Sequence, residues 1–95
     1  MTHRITVKYY NLVRDLTGRG ADEVSLEGKP TLGALLDTLT GLHGQAFAEF
    51  VLGADGGLNP HVRLFLNDET MMGKCLDRLL ADGDAIALFS AISGG

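Results

Sequence analysis

The C-terminal pair Gly94–Gly95 is the part of the sequence best suited to chemistry, and its reacting group would be the carboxylate of Gly95. An ionised carboxylate is a poor electrophile, so it must first be converted to a mixed anhydride, for which ATP is the ordinary reagent. Glycines lack a Cβ atom, which lets a chain end follow a narrow channel in another protein. We therefore predict that a partner enzyme activates Gly95 and that no side chain of this protein takes part in the reaction.

The residues before this pair predict a short C-terminal tail, residues 90–95, that binds the partner. The tail has no charged side chain and no proline, and chain ends of this kind are often mobile. Six extended residues reach about 20 Å, which is enough to enter a buried active site. The alternative interpretation is a frayed end without function. The tail residues predicted to contact the partner are Ser90, Ala91, Ile92, Ser93 and Gly94.

The cysteine and histidine residues show no pattern of a catalytic or metal site. Cys75 is the only cysteine, and nothing in the sequence supplies the nearby base that a catalytic thiolate needs. A single cysteine also excludes an iron–sulfur ferredoxin, whose cluster needs four thiolate ligands. The histidines lie far apart without ligand spacing, and we interpret them as surface or packing residues: His3, His43 and His61.

Two further segments could suggest a site but are typical of turns and loops. The segment Gly53–Gly57 lacks the Gly-Lys-Ser/Thr ending of a phosphate-binding loop. Asp82 and Asp84 flank Gly83, a pattern that favours a tight turn over a paired acid and base. We therefore predict that this chain binds no cofactor of its own.

Length and charge narrow the class of protein. A chain of 95 residues with 45% hydrophobic content predicts one domain, residues 1–95. The net charge of −4 and the scattered lysines and arginines argue against a nucleic-acid partner. No apolar run reaches the roughly 18 residues of a membrane helix, so we predict no membrane partner. A lone cysteine fits a reducing compartment, and the expected location is cytoplasmic.

Alternation of apolar and polar residues predicts four strands and a possible fifth. In the first, Ile5, Val7 and Tyr9 share one face. A short helix or turn is expected over residues 11–16, and the first two strands should form a hairpin. A turn is expected at residues 67–69. The predicted strands cover residues 5–10, about 23–26, 62–67 and 85–89.

One main helix is predicted after Thr31, whose side chain can cap it. Five leucines recur at steps of three and four residues and should face the core: Leu32, Leu35, Leu36, Leu39 and Leu42. Gly41 and Gly44 should mark its end. Residues 46–51 predict further helical turns, and residues 76–80 another. The expected fold class is α+β, a mixed four- to five-stranded sheet packed on one main helix.

Period-two alternation places Phe65 and Phe89 on the strand faces opposite the leucine-rich and Ile/Val-rich sides. If one sheet face packs on the helix, these two rings lie on the other. Two interpretations stay open: loops cover both rings, or they form an apolar surface on which a partner docks beside the tail.

Three segments resemble the MoaD/ThiS group of β-grasp sulfur carriers. Residues 82–89 followed by the Gly-Gly end are similar to the end of these proteins, and residues 7–18 are similar to the start of the molybdopterin synthase small subunit. The central segment, residues 31–39, looks closest to the small archaeal modifier proteins. Ser90 and Ala91 stand where many molybdopterin-type members have a Pro-Pro pair.

The resemblance implies a ubiquitin-like β-grasp fold and a carrier rather than an enzyme. An E1-like enzyme would adenylate Gly95 with ATP and magnesium, and a persulfide sulfur donor would convert the adenylate to a thiocarboxylate. The first acceptor to test is the large subunit of molybdopterin synthase. By this resemblance the docking surface consists of Tyr10, Phe65 and Phe89.

Other functions remain open at this point. The chain could carry sulfur for cysteine synthesis or tRNA thiolation, or it could be a ubiquitin-like modifier joined to lysines of target proteins. A plain binding module with an incidental Gly-Gly end would keep full activity after removal of Gly94 and Gly95.

Overall fold

The computed structural model describes residues 2–53, 57–71 and 75–90. Within them, strands and helices alternate along the chain in an α+β order. The elements are β1 (Thr2–Tyr9), α1 (Asn11–Thr17), β2 (Ala21–Glu27), α2 (Leu32–His43), α3 (Gln45–Val51), β3 (Val62–Leu66), β4 (Glu69–Met71) and β5 (Ala85–Ser90).

One mixed sheet of five strands has the order β2-β1-β5-β3-β4. The central pair, β1 and β5, is parallel, whereas β1–β2, β3–β5 and β3–β4 are antiparallel. The predicted pairing of the first two strands is confirmed, although α1 lies in the connection between them. The sheet confirms the predicted mixed architecture. Its five strands are the larger of the two predicted numbers, four and five.

The core lies between one face of the sheet and the helices. Alternate residues of each strand point into it, as the period of two requires. Roughly 1.5–3 kcal/mol of stabilisation comes from burying each large aliphatic side chain. Its most buried aliphatic members are Ile5, Val7, Val13, Leu32, Leu35, Leu36, Leu39, Val51, Leu64, Ile86 and Leu88. All three described helices contribute to this core, so none of them covers the opposite sheet face, here called the open face.

Helix α2 begins and ends at residues whose chemistry explains its limits. Thr31 Oγ1 accepts a hydrogen bond from the Ala34 amide at 3.1 Å, as predicted for an N-cap. Gly44, at φ 94°, ends the helix in a conformation that suits glycine. Gly41, expected to mark the end, lies inside the helix.

The prediction that Leu42 belongs to the buried stripe of α2 is wrong, because its side chain is 60% exposed. The four other leucines of the stripe are buried. At about 100° per residue, Leu42 lies at the margin of the arc that they define, whereas His43 falls closer to its centre and is turned inward.

The predicted helical turn over residues 76–80 is also wrong. Residues 75–80 form instead a strap over the start of α2, and Leu79 makes an isolated bridge with Thr31. The Leu32 and Gly33 amides donate to carbonyls of Arg78 and Leu76, at 2.8 Å each. The first amides of α2 lack partners inside the helix, and carbonyls of the strap accept their hydrogen bonds. A helical conformation of the same residues would not supply these acceptors.

Two boundaries near the C-terminal half differ from those predicted. The turn expected at residues 67–69 ends one residue earlier, and Glu69 begins β4, a strand too short to show alternation. Ser90, expected to be the first residue of the tail, is instead the last residue of β5 and pairs with Val62.

Where β5 begins, a tight turn joins it to its neighbours as predicted. The Asp82 side chain accepts from the Arg4 amide at 2.8 Å, and the Gly83 amide donates to the Arg4 carbonyl at 2.9 Å. Gly83 has φ 89°, a conformation open to glycine. In the portion of the chain described above, no helix has both the length and the apolar character needed to span a membrane.

Candidate functional site

The candidate site lies at the end of the sheet where β5 finishes, here called the Ser90 end. β5 is the central strand, and it runs parallel to β1, so both finish at this end. Ser90 is 3% exposed, which corrects its assignment to the free tail, since its side chain is not presented to a partner. The predicted site residues Ala91, Ile92, Ser93, Gly94 and Gly95 lie outside the described residues.

Three rings meet on the open face at the Ser90 end, and we call Tyr10, Phe65 and Phe89 the aromatic surface. The ring centroids of Phe65 and Phe89 are 5.4 Å apart, and those of Tyr10 and Phe89 are 6.4 Å apart. Both pairs meet edge to face, an arrangement that aromatic rings favour. Tyr10 is 45% exposed, and the two phenylalanines are half-buried.

Strand register explains how residues so distant in sequence come together. Phe89 and Arg63 are paired across β5 and β3, and Phe65 pairs with Ala87 two positions along. Tyr10 follows the last residue of β1, and its amide donates to the Leu88 carbonyl at 3.0 Å, which places it beside Phe89. The structure therefore brings the three predicted docking residues into one surface, next to the strand end that continues into residues 91–95.

Beneath this surface, on the core side of the sheet, lies a buried polar network that sequence reasoning missed. The Tyr9 hydroxyl donates to Asp22 Oδ2 at 2.8 Å, and His43 Nε2 lies 2.7 Å from the same oxygen. The Arg19 guanidinium reaches Asp22 Oδ1 at 3.1 Å from the more exposed side. The side chains of Asp22 and His43 are each 8% exposed.

The charges of this network follow from its surroundings. Burial opposes the charged form of Asp22, but hydrogen bonds from Tyr9 and His43, together with the nearby Arg19, outweigh it and lower the pKa of the carboxyl group. Burial, and then the hydrogen bond to Asp22, raise the pKa of the Tyr9 phenol far above its usual range. Asp22 is therefore a carboxylate at neutral pH, and Tyr9 is a neutral donor to it.

The network left a signal in the sequence, but a weak one. Asp22 is two residues before Val24 and so has the inward parity of β2, and His43 is four residues after Leu39 on the inward side of α2. Polar residues at inward positions indicate a buried network. Their partners, however, come from elements far apart in the chain, which only the fold brings together.

Cys75 and His3 are among the residues that were predicted to belong to no catalytic or metal site. Cys75 is half-buried, and burial raises the pKa of its thiol, which reduces the thiolate fraction at neutral pH. His3 Nε2 lies 2.8 Å from the Gly28 carbonyl. Among the residues that the structure describes, no three His, Cys, Asp or Glu side chains are grouped so that they could hold a metal ion.

Comparison with known proteins identifies the family. The ThiS family profile matches residues 7–95, nearly the whole chain. The small archaeal modifier protein 1 of Haloferax volcanii is 34% identical over 88 residues, which cover 93% of this chain and 97% of that protein.

Solved structures agree with this comparison. The crystal structure of the Haloferax volcanii SAMP1 protein superposes with a TM-score of 0.81 at 33% identity, covering 97% of this chain and 99% of that one. A chain of the Amycolatopsis orientalis BexX/CysO complex superposes with a TM-score of 0.70 at 26% identity, covering 96% and 99%. The predicted β-grasp fold is thereby confirmed. The chain belongs to the ThiS family, a family of ubiquitin-like small modifier and sulfur-carrier proteins.

Proposed function

We propose that this protein carries sulfur on its C-terminal carboxylate, at Gly95, after activation by an E1-like enzyme. The observation that carries the proposal is the position of Ser90. The central strand of the sheet ends there, beside the aromatic surface, and the last five residues are joined to it. A partner that docks on the three rings thus has the start of the tail at the edge of the contact.

The proposed chemistry takes place on the tail and in the partners. A carboxylate oxygen of Gly95 attacks the α-phosphorus of ATP, which is held with magnesium by the E1-like enzyme, and pyrophosphate leaves. The terminal sulfur of a persulfide donor then attacks the acyl carbon and displaces AMP. A thiolate attacks the resulting acyl disulfide at the donor's sulfur, which releases the thiocarboxylate and leaves a disulfide behind. The described side chains of the carrier supply binding and no reacting group.

The acceptor that we propose first is an enzyme of molybdopterin synthesis, such as the large subunit of molybdopterin synthase. Membership of the ThiS family and the BexX/CysO complex of a relative support transfer of sulfur to a partner enzyme. Cysteine synthesis and tRNA thiolation would use the same thiocarboxylate. In each case the carrier binds no cofactor, and ATP and magnesium belong to the activating partner.

A second function is favoured by one specific observation, the 34% identity to a protein named as a modifier. A modifier shares the activation step, but the acyl group is then transferred to a lysine amine of a target protein. The product is an isopeptide bond, and no sulfur remains on the carrier.

The mass of the intact protein, purified from its native host, tests both functions. We expect a fraction in which one oxygen is replaced by sulfur, localised to Gly95 by fragmentation. A variant without Gly94 and Gly95 should lack this species and the cellular activity, whereas a Leu79→Ala variant, changed at an exposed leucine elsewhere, should keep both. Isopeptide-linked adducts without sulfur exchange would favour the modifier. Full cellular activity of the shortened variant would refute both functions.

A further inference from the structure

Two cations lie in the same rows of the open face as the aromatic surface. Lys8 pairs with Ala87 from the β1 side, and Phe65 pairs with the same Ala87 from the β3 side. One row further toward the Ser90 end, Arg63 pairs with Phe89. Paired residues on one sheet face are close neighbours, so the small Ala87 lies between Lys8 and Phe65, and Arg63 lies beside Phe89. The two cations thus stand on opposite sides of the rings.

Neither cation is neutralised by the part of the protein that the structure describes. The ion pairs there use other basic groups, namely Arg4, Arg19, His43 and Arg78. Among the described residues, the Arg63 side chain donates to the Pro60 carbonyl alone, at 3.3 Å, and Lys8 is exposed. The carboxylates of β2 on the open face have partners of their own. Glu23, one row from Lys8, contacts Arg4, and Glu27 accepts from Thr2 at the other end of the sheet.

The positive charge beside the aromatic surface is opposite in sign to the net charge of the whole protein. The chain carries a net charge of −4, yet the described residues of the two rows that hold the aromatic surface carry only positive charge. An apolar patch bordered by unpaired cations is complementary to an apolar pocket bordered by carboxylates. Opposite charges across such a rim steer association and reject partners of the wrong sign.

We propose that Lys8 and Arg63 determine which partner the aromatic surface accepts, and that the docking surface of the activating enzyme presents carboxylates opposite these two cations. The inference rests on the proposed function, because it specifies the chemistry of the E1-like partner. It adds a requirement that the rings alone do not impose: the contact depends on charge as well as on apolar area.

The test is the rate of ATP–pyrophosphate exchange catalysed by the E1-like enzyme of the source organism, with this protein as substrate at low and high salt. We expect Lys8→Glu combined with Arg63→Glu to lower kcat/KM by about tenfold or more at low salt. The difference should narrow as added salt screens exposed charges. The matched control is Lys29→Glu, an exposed lysine after β2 at the other end of the sheet, which should stay within about twofold of the unchanged protein.

Two further variants separate charge from structure. Arg63→Lys keeps the charge but removes the guanidinium that contacts Pro60, so it should retain most of the exchange rate. Lys8→Gln with Arg63→Gln removes the charges without adding carboxylates, and its rate should fall between those of the unchanged protein and the double reversal. Urea unfolding should show that every variant is folded at the assay temperature.

The outcomes also separate this inference from the proposed function. If the unchanged protein supports exchange but the double reversal behaves like Lys29→Glu at every salt concentration, the charge requirement is refuted and the carrier function stands. If Arg63→Lys loses as much as the double reversal, the arginine acts through its shape, which also refutes the inference. If the unchanged protein supports no exchange, both the inference and the proposed function fall.

Discussion

The two ends of the sheet differ in which groups are paired within the chain and which are left exposed to solvent. Where β5 begins, here called the Asp82 end, hydrogen bonds within the chain connect three segments. Asp84 Oδ2 accepts from the Ala81 amide at 2.8 Å, and Asn67 Oδ1 accepts from the Ala85 amide at 3.0 Å. The Thr6 amide donates to the Asp84 carbonyl at 3.1 Å. These bonds fasten β5 to β1 and β3.

The Ser90 end has the reverse arrangement. Its polar groups are buried on the core side, in the network of Tyr9, Asp22 and His43, and its apolar rings are left partly in water on the open face. Exposed aromatic rings gain free energy when another protein covers them.

The difference indicates that the Asp82 end stabilises the fold, and it agrees with the proposal that a partner docks at the Ser90 end. Groups that are already hydrogen-bonded within the chain gain little free energy when a partner binds. Exposed rings beside the strand that leads to the C-terminus would gain much more. Changes at the Asp82 end should therefore affect stability alone, and changes at the aromatic surface should affect activation. The buried network under the surface should behave like the Asp82 end.

The largest expected effect comes from the buried network. Asp22→Ala removes the acceptor shared by Tyr9 and His43 and leaves buried polar groups without a partner, which we expect to cost about 3 kcal/mol of unfolding free energy. Urea unfolding at pH 7 measures it. The control is Asp37→Ala, an exposed aspartate of α2, expected to change stability by less than about 0.5 kcal/mol. Equal losses in the two variants would show that the network contributes nothing specific.

The second effect is on activation. Phe89 is the central ring of the aromatic surface, and Phe89→Ala should lower kcat/KM for adenylation by about 30-fold, corresponding to about 2 kcal/mol for a central interface residue. The control is Leu79→Ala, which shortens a 59% exposed apolar side chain elsewhere and should leave the rate unchanged. A normal rate for Phe89→Ala would remove the aromatic surface from the docking proposal.

A smaller effect is expected at Asn67, which lies at the Asp82 end, and Asn11, which follows Tyr10 at the Ser90 end, provides its matched control. Asn67 and Asn11 both have φ 56°, so glycine fits either backbone. Only Asn67 makes side-chain hydrogen bonds within the described residues, to Ala85 and Asp84. Asn67→Gly should cost about 1 kcal/mol more than Asn11→Gly in urea unfolding, with no change in adenylation of the folded protein. A loss of adenylation in folded Asn67→Gly would break the distinction between the two ends.

The smallest effect is a dependence of stability on pH. Because the pKa of Asp22 is lowered on folding, its contribution is present above the ordinary value of about 3.9 and is lost as pH falls through the lowered folded value. The stability difference between the unchanged protein and Asp22→Asn should therefore be constant above about pH 5 and shrink below about pH 4. A difference independent of pH would show that folding does not lower the pKa of Asp22.

Local pattern predicted the strands well, because each inward residue is decided by its own parity. Ile5, Val7 and Tyr9 are buried, and Phe65 and Phe89 lie on the open face, as alternation requires. Helical spacing failed for Leu42, and it left His43 open as either a surface or a packing residue. The helix geometry decides for packing, since His43 lies near the centre of the buried arc and contacts a carboxylate there.

The strap shows a second limit. The spacing of Leu76, Leu79 and Leu80 fits a helix, but the segment forms a single turn, closed by the Arg78 amide on the Cys75 carbonyl at 3.1 Å, and its next carbonyls pair with the amides at the start of α2. Gly33 allows this close approach, since a Cβ atom there would lie 3.2 Å from the Leu76 carbonyl oxygen. A local preference for a helix thus competed with hydrogen-bond partners that lie far away in the chain.

Residue types and the periods of two and 3.6 were enough to predict four of the five strands, the main helix and the chemistry available at Gly95. Strand β4 was missed because its three residues show no alternation. Tertiary structure alone decided that Tyr10, Phe65 and Phe89 form one surface, that Lys8 and Arg63 flank it, and that Asp22 meets Tyr9 and His43. The physical reason is that strand register and helix packing are set by the whole core at once, so they bring together side chains that no local pattern relates.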